Sequence, residues 1–229
     1  MSYISEYLNR VMYIALSEGL TSLFRRAIRY LGRQLFIIAE YYVREHYCGE
    51  LNKSDYLPGV GDHQIEIVSD NDAADRLASE LGIDFRTQVI NAERRLHEGA
   101  IAFCLFVGNE LASIIWIGFT ARAQKTLNSH PYFVNYADNE GFTDGAETML
   151  KYRNRGLMAC LCYHRNNYMK EHGIKTLIGI DAVDNIAIYK VQSKFPSRLR
   201  AKARYIKVLW WQYWKETPLP DNFMPPGFE

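Results

Sequence analysis

Between Thr148 and Met158 the chain reads Thr-Met-Leu-Lys-Tyr-Arg-Asn-Arg-Gly-Leu-Met, and Arg153, Arg155 and Gly156 are its residues with the most definite chemical use. The preceding Gly141–Met149 is short, bounded by glycine and partly alternating, which predicts a strand. A helix follows, with Leu157, Leu161, His164 and Tyr168 on one face and Gly173 as its stop signal. Leu177–Ile180 then predicts a second, buried strand, so the unit is strand, loop, helix, strand. The first amides of a helix have no partner within it, and the dipole adds partial positive charge, so a turn at this point is an anion site. Gly156 lets a phosphate approach the main chain, and the two guanidiniums add charge and forked donors. The ligand expected here carries phosphates.

Thr148 to Met158 resembles the acyl-CoA pyrophosphate loop of the GNAT superfamily of N-acyltransferases, whose pattern is Arg or Gln, two residues, Gly, one residue, then Gly or Ala. Arg153 and Gly156 match, and Met158 stands at the third position. Asp181–Phe195 is similar to the superfamily's segment that opens with Asn and ends in Lys-x-Gly-Phe. Asn185, Ala187, Lys190, Val191 and Lys194 are in register, with Phe195-Pro196 where Gly-Phe is usual. The resemblance implies a mixed α/β fold with a splayed central sheet flanked by helices. It also implies acetyl-CoA or another acyl-CoA as co-substrate, an amine-bearing acceptor and no metal. By the same resemblance, the backbone of Thr148, Met149 and Leu150 meets the pantetheine arm. Arg153, Asn154, Arg155, Gly156, Leu157 and Met158 hold the phosphates, and Asn185 faces the thioester.

Direct attack by an amine on a thioester asks for a base, a donor to the carbonyl and an acid for the thiolate. Glu147 is the base candidate. Asp144 lies three residues before it, and in a regular strand that spacing puts the two on opposite faces. The superfamily's acid tyrosine stands seven residues after the position of Asn185, where this chain has Gln192, so Tyr189 on the same helix is the substitute candidate. The catalytic set expected is therefore Glu147, Asn185 and Tyr189. A non-catalytic module of the same fold, binding CoA or a protein partner, is the alternative reading.

The elements that must position these residues fit one mixed sheet with helices on both faces. At 229 residues and 48% hydrophobic content the chain is long and apolar enough to bury a substantial core. A net charge of +1 gives no general pull toward nucleic acid or membranes, so electrostatic arguments are local. Cys48, Cys104, Cys160 and Cys162 lack zinc-ligand spacing and read as unpaired thiols. The apolar run Leu35–Ala39 is far below the roughly 18 residues of a membrane span, and a cytoplasmic protein is expected.

In chain order, Ser2 to about Tyr47 predicts amphipathic helix with a basic rim at Arg25, Arg26, Arg29 and Arg33. That helix offers a homo-oligomer contact or a membrane-surface face, or simply packs on its own domain. Asn52–Asp62 reads as a linker, which sets the expected boundaries: extension and linker 1–58, acyltransferase-like domain 59–217, tail 218–229. Gln64–Val68 predicts a strand, Ser69 or Asp70 caps a helix through Leu81, and Asp84–Leu96 predicts another helix. Ala100–Val107 and Glu110–Phe119 predict a hairpin about Gly108-Asn109. Ala121–Asn139 reads as a polar connection. Arg198, Arg200, Lys202, Arg204 and Lys207 line a strand face able to meet a ribose phosphate, an anionic substrate or RNA, or only solvent. Tyr205–Trp214 predicts the last strand.

Overall fold

The structure is a computed structural model that describes residues 36–225. One mixed sheet contains eight strands: β1 (Phe36–Tyr47), β2 (His63–Val68), β3 (Ala100–Val107), β4 (Glu110–Gly118), β5 (Glu140–Thr148), β6 (Thr176–Ala182), β7 (Ser197–Val208) and β8 (Trp211–Pro218). Their order is β2-β3-β4-β5-β6-β1-β7-β8. The described α-helices are α1 (Asn71–Leu81), α2 (Ala92–His97), α3 (Ala121–Leu127), α4 (Leu157–Glu171) and α5 (Ile186–Gln192). This is the mixed, splayed sheet between helices that the resemblance implies.

β3 and β4 are apolar almost without a break because both of their faces are covered. On one face Tyr168 of α4 meets Phe103 edge-on at 5.5 Å, and on the other the Arg95 guanidinium of α2 lies 5.2 Å from the Trp116 ring. Phe103, Leu105, Ile114, Trp116 and Ile117 are buried between these layers. Local signals hold where expected: Asp70 Oδ1 caps α1 by accepting from Ala73 N at 2.7 Å, and Gly173, at φ +62°, follows the end of α4.

The helix expected to run to Tyr47 is corrected over residues 36–47, which form β1 in the interior of the sheet. β1 is antiparallel to β6 on one edge and to β7 on the other. Its Phe-Ile-Ile and Tyr-Tyr-Val runs suit a pleated surface as well as a helix face, and pairing along both edges decides the matter. Residues 1–35, which carry the rest of the expected helix, its basic rim and the oligomer contact, lie outside the described residues. The sheet therefore starts well before the boundary expected at 58/59.

Asn52–Asp62 is not a free linker either. Tyr56 Oη donates to the Lys194 carbonyl at 2.9 Å, and Gly59 N donates to the Arg155 carbonyl at 2.7 Å, strapping the segment across the phosphate-loop residues. At the other end, one last strand over Tyr205–Trp214 is replaced by a hairpin. β7 continues to Val208, the chain turns at Leu209 (φ +54°) and Trp210, and β8 returns.

Val43 is fully buried in β1, whereas Ile38 on the same strand is 55% exposed. Val43→Ala should lower the unfolding free energy by about 2 kcal/mol, from two lost methylenes and the cavity they leave. Ile38→Ala should stay within about 0.5 kcal/mol. Urea denaturation of both variants checks this, and equal losses would contradict the interior placement of β1.

Candidate functional site

β5 and β6 run parallel, joined through α4, but pair only at Glu140–Thr176, Gly141–Leu177 and Phe142–Ile178. Beyond that point they diverge, and a cleft of about 1360 Å³ opens between them, walled by α5 and by the turn before α4. It exceeds the roughly 300–1,000 Å³ of common small-molecule sites, so it suits an elongated ligand.

β5 is bulged within the cleft. Asp144 pairs with Trp116 and Glu147 with Ile114, so Gly145 and Ala146 together face the single residue Ile115. Gly145 has φ +64°, and a Cβ there would stand 2.9 Å from Trp116 Cδ1. The expectation that Asp144 and Glu147 face opposite sides is thereby corrected. Their partners Trp116 and Ile114 are two apart, and the extra residue returns both carboxylates to one face of the sheet.

At the wide end of the cleft stand residues 153–158, the turn before α4 and the first residues of that helix. Gly156 caps α4 at φ +76°, and Asn154 is also left-handed at φ +61°. The amides of Leu157, Met158 and Ala159 point out of the helix start. Arg153 Nε donates to the Thr148 carbonyl at 3.1 Å, so its remaining amino groups can face outward. Arg155, Lys190 and Lys194 also border the opening, are exposed, and have no ion-pair partner among the described residues. Met158 lines the cleft but packs against the core, so it does not close the turn.

The other predicted residues divide. Thr148 lies on the cleft wall, its hydroxyl 2.9 Å from that of Ser113. Met149 is buried, with its amide on the Ala112 carbonyl, and Leu150 turns to solvent, so both stand outside the wall. Asn185 is on the wall and caps α5, its Oδ1 accepting from Ile188 N at 3.2 Å, which leaves its amino group available. Tyr189 is also off the wall, with the Arg44 guanidinium 4.8 Å from its ring centre. Gln192, where the superfamily's tyrosine would stand, is buried and accepts from Arg165 at 3.5 Å.

Sequence reasoning missed His46, Thr143, Gly179 and Asp181, all on the wall. His46 belongs to the strand misread as helix. Asp181 accepts from Arg44 Nε at 2.9 Å. Burial, with help from Arg165 and Arg44, holds the His46 imidazole well below its usual proton affinity and so neutral. Asp144 is partly buried and shifted upward by desolvation, although the Gly145 amide (2.5 Å) and the Asn128 amide both donate to it. On its side of the sheet, His130 sits among Tyr41 (4.7 Å), Tyr205 (4.6 Å) and Trp214 (5.9 Å), and desolvation lowers it to about 4.

The basic strand has partners from its neighbours. Arg198 and Arg200 pair with Glu45, Arg198 also with Asp221, Arg200 with Glu216, and Lys202 with Glu40. A paired, solvated face offers RNA little unanswered charge. Cys48, Cys104, Cys160 and Cys162 are free thiols. Among the described residues no His, Cys, Asp and Glu cluster could hold a metal ion, and no helix is long and apolar enough to cross a membrane.

The site is thus a basic-mouthed cleft between parting parallel strands, with two carboxylates on one face. No family model matches the chain, and no curated protein sequence matches it. Among solved structures it is similar to GNAT-family acetyltransferases. A putative acetyltransferase of that family from Novosphingobium aromaticivorans is 16% identical over 72% of this chain and 62% of its own, with a TM-score of 0.45. A GCN5-related N-acetyltransferase from Kribbella flavida is 13% identical over 79% and 63%, with a TM-score of 0.45. A GCN5-related N-acetyltransferase-like protein from Streptococcus suis is 12% identical over 85% and 68%, with a TM-score of 0.45. The chain spans about three fifths of the length of the first two.

The upward shift of Asp144 has a sign. Because the folded state binds this proton more tightly than the unfolded chain, stability falls as pH rises from the ordinary carboxylate range through the raised folded value, and stays lowered above it. Asp144→Asn should therefore gain in urea midpoint relative to the parent as pH rises from the ordinary carboxylate range, and keep that gain at higher pH. A midpoint difference that stays flat over this rise would contradict the assignment.

Proposed function

We propose that the chain is an acyl-CoA-dependent N-acyltransferase that joins both substrates in a ternary complex. The observation that supports this most is the early parting of β5 and β6, which leaves unpaired strand edge inside a cleft ending at a helix start flanked by Arg153 and Arg155. A pantetheine arm carries two amides able to satisfy such an edge, and its diphosphate suits the helix start.

In this reading the diphosphate rests on the amides of Gly156 to Ala159 and on Arg153 and Arg155, with Lys190 and Lys194 beside the nucleotide. The arm runs along β5 from Thr148 toward Gly145, and the amino group of Asn185 faces it. The acceptor comes from the side of Asp144 and Glu147, where two carboxylates favour an ammonium over an anion. Glu147 takes the ammonium proton, the amine lone pair attacks the thioester carbon, the carbon–sulfur bond breaks, and the nitrogen, now bonded to the acyl carbon, gives its second proton to solvent. The departing thiolate takes a proton from solvent, because Tyr189 is held by Arg44 and Gln192 offers no acidic proton. Most of the acceleration then comes from positioning. A cytoplasmic location accompanies use of acyl-CoA.

Gln192 and the placement of Tyr189 favour a second reading, a CoA-binding module without turnover. Thiol release across a panel of amines separates the two, since turnover with any amine excludes the module.

Isothermal titration with CoA and acetyl-CoA should give a saturable heat, and a folded sample that binds neither overturns the proposal. Arg153→Ala should weaken CoA binding about tenfold or more, by loss of charge-assisted contacts to phosphate. Glu147→Gln should leave CoA binding unchanged while lowering kcat about a hundredfold, the low end for removal of a general base. An unchanged kcat would remove Glu147 from that role.

A further inference from the structure

Beneath the narrow end of the cleft lies Arg165 of α4, only 2% exposed. No carboxylate among the described residues pairs with it. Its donations go to neutral acceptors: Thr143 Oγ1 at 3.2 Å, His46 Nδ1 at 3.3 Å and Gln192 Oε1 at 3.5 Å, while its Nε has none. Nearby Arg44 is answered by Asp181 at 2.9 Å, so the second guanidinium leaves this buried cluster with an unanswered positive charge. Such a charge is costly unless an anion meets it.

The hydrogen bonds also fix which protons face the cleft. A guanidinium only donates, so the Thr143 oxygen accepts from it and the hydroxyl proton is free to point elsewhere. The His46 Nδ1 accepts in the same way, which places the proton of the neutral imidazole on Nε2. Both residues line the cleft. Gly179 keeps the floor between them free of a side chain: a Cβ added there would crowd Thr143 Cγ2 at 3.2 Å and His46 Nε2 at 3.3 Å. Gly179 lies one residue past the last β5–β6 pair, at the end of the cleft farthest along β5 from the turn before α4.

We infer that this inner end is a carboxylate pocket for the acyl group, and that the co-substrate is a coenzyme A thioester of a short dicarboxylic acid. Its free carboxylate accepts from His46 Nε2–H and Thr143 Oγ1–H, with the charge of Arg165 behind both. The inference rests on the acyl-CoA reading above and names the acyl class within it. The distal carboxylate is a spectator of transfer, since the bonds made and broken remain those at the thioester carbon. An acceptor carboxylate is the other source of the same chemistry. The carboxylates Asp144 and Glu147 stand on the opposite face of β5 from Thr143, and they repel an anion arriving from that side.

The test needs no knowledge of the acceptor. Calorimetric titration of the full chain would compare malonyl-, succinyl- and glutaryl-CoA with propionyl-, butyryl- and valeryl-CoA, which match them in carbon count, and with CoA itself. At least one dicarboxylic thioester should bind about tenfold more tightly than its match. His46→Phe and Thr143→Val should each reduce that preference to within about threefold while CoA affinity holds, with unfolding midpoints recorded alongside. Should either variant fail to fold, Gly179→Ala, whose methyl would press on Thr143 and His46 and displace them, serves instead and should cost affinity for the dicarboxylic thioester but not for CoA. Equal affinity within every matched pair, with CoA still bound, overturns this inference alone. Tighter acetyl-CoA binding on addition of free succinate assigns the carboxylate to the acceptor and overturns it too. Absence of binding by every CoA species overturns the acyl-CoA reading beneath it.

Discussion

Parallel strands that begin to pair normally continue, because each further residue satisfies backbone groups that would otherwise be left bare. β5 and β6 stop after three pairs, and two structural commitments hold them apart. On one side the Gly145–Ala146 bulge bends β5 toward β4 and strengthens its local twist. On the other, β6 is paired along its whole length with β1, from Thr176–Tyr47 to Ala182–Tyr41. β6 therefore follows β1, and the strand contributed from the start of the described chain acts as the wedge that opens the cleft. A helix in its place would leave the second edge of β6 bare and free to choose another course.

The bulge does more than bend. By adding one residue it reverses the alternation after Gly145, and so brings Asp144 and Glu147 to one face while Thr143 stays on the other with Arg165. The two sides of the sheet thus differ: Asp144, Glu147 and the ring cluster of Tyr41, His130 and Trp214 on one, and on the other Arg165 with neutral acceptors beside the Arg44–Asp181 pair. The opening between the strands is where these two sides meet. Asp144 registers this, since burial and the nearby Asp181 raise it while Arg95 and the two amide donors oppose them. A regular strand would have divided the two carboxylates and joined one of them to the cationic side.

Much of this was legible in the residues and some was not. The hairpin β3–β4, the cap at Asp70, β5, the start of α4 and its glycine stop carry local signals that tertiary contacts do not override. The turn of Arg153 to Gly156 before α4 was legible because its signals are local. β1 was not, since Phe36 to Tyr47 has apolar residues at spacings that serve either a helix stripe or a strand paired on both edges, and only the partners decide. Arg165 and His46 are 119 positions apart, and nothing in either segment announces that they meet. The bulge was hidden for a related reason: Gly145 in a strand signals irregularity, but its effect on which way Glu147 faces depends on the register of β4.

Met158, in the first turn of α4, shows how such context alters a motif. Met158 stands where a small residue is usual in the superfamily the loop resembles, and a long side chain there could fold over the amides. It packs against the core instead, and the amides stay open because the loop is held from the opposite side. Gly59 donates to the Arg155 carbonyl at 2.7 Å, and Tyr56 anchors the same segment to Lys194. Asn154 and Gly156, on either side of that contact, sit in left-handed conformations, which glycine adopts freely and asparagine more readily than most residues. The strap holds the turn at the Arg155 carbonyl, between these two residues. A turn held in this way has less conformational entropy to lose on meeting any ligand, so the strap lowers the cost of ordering it.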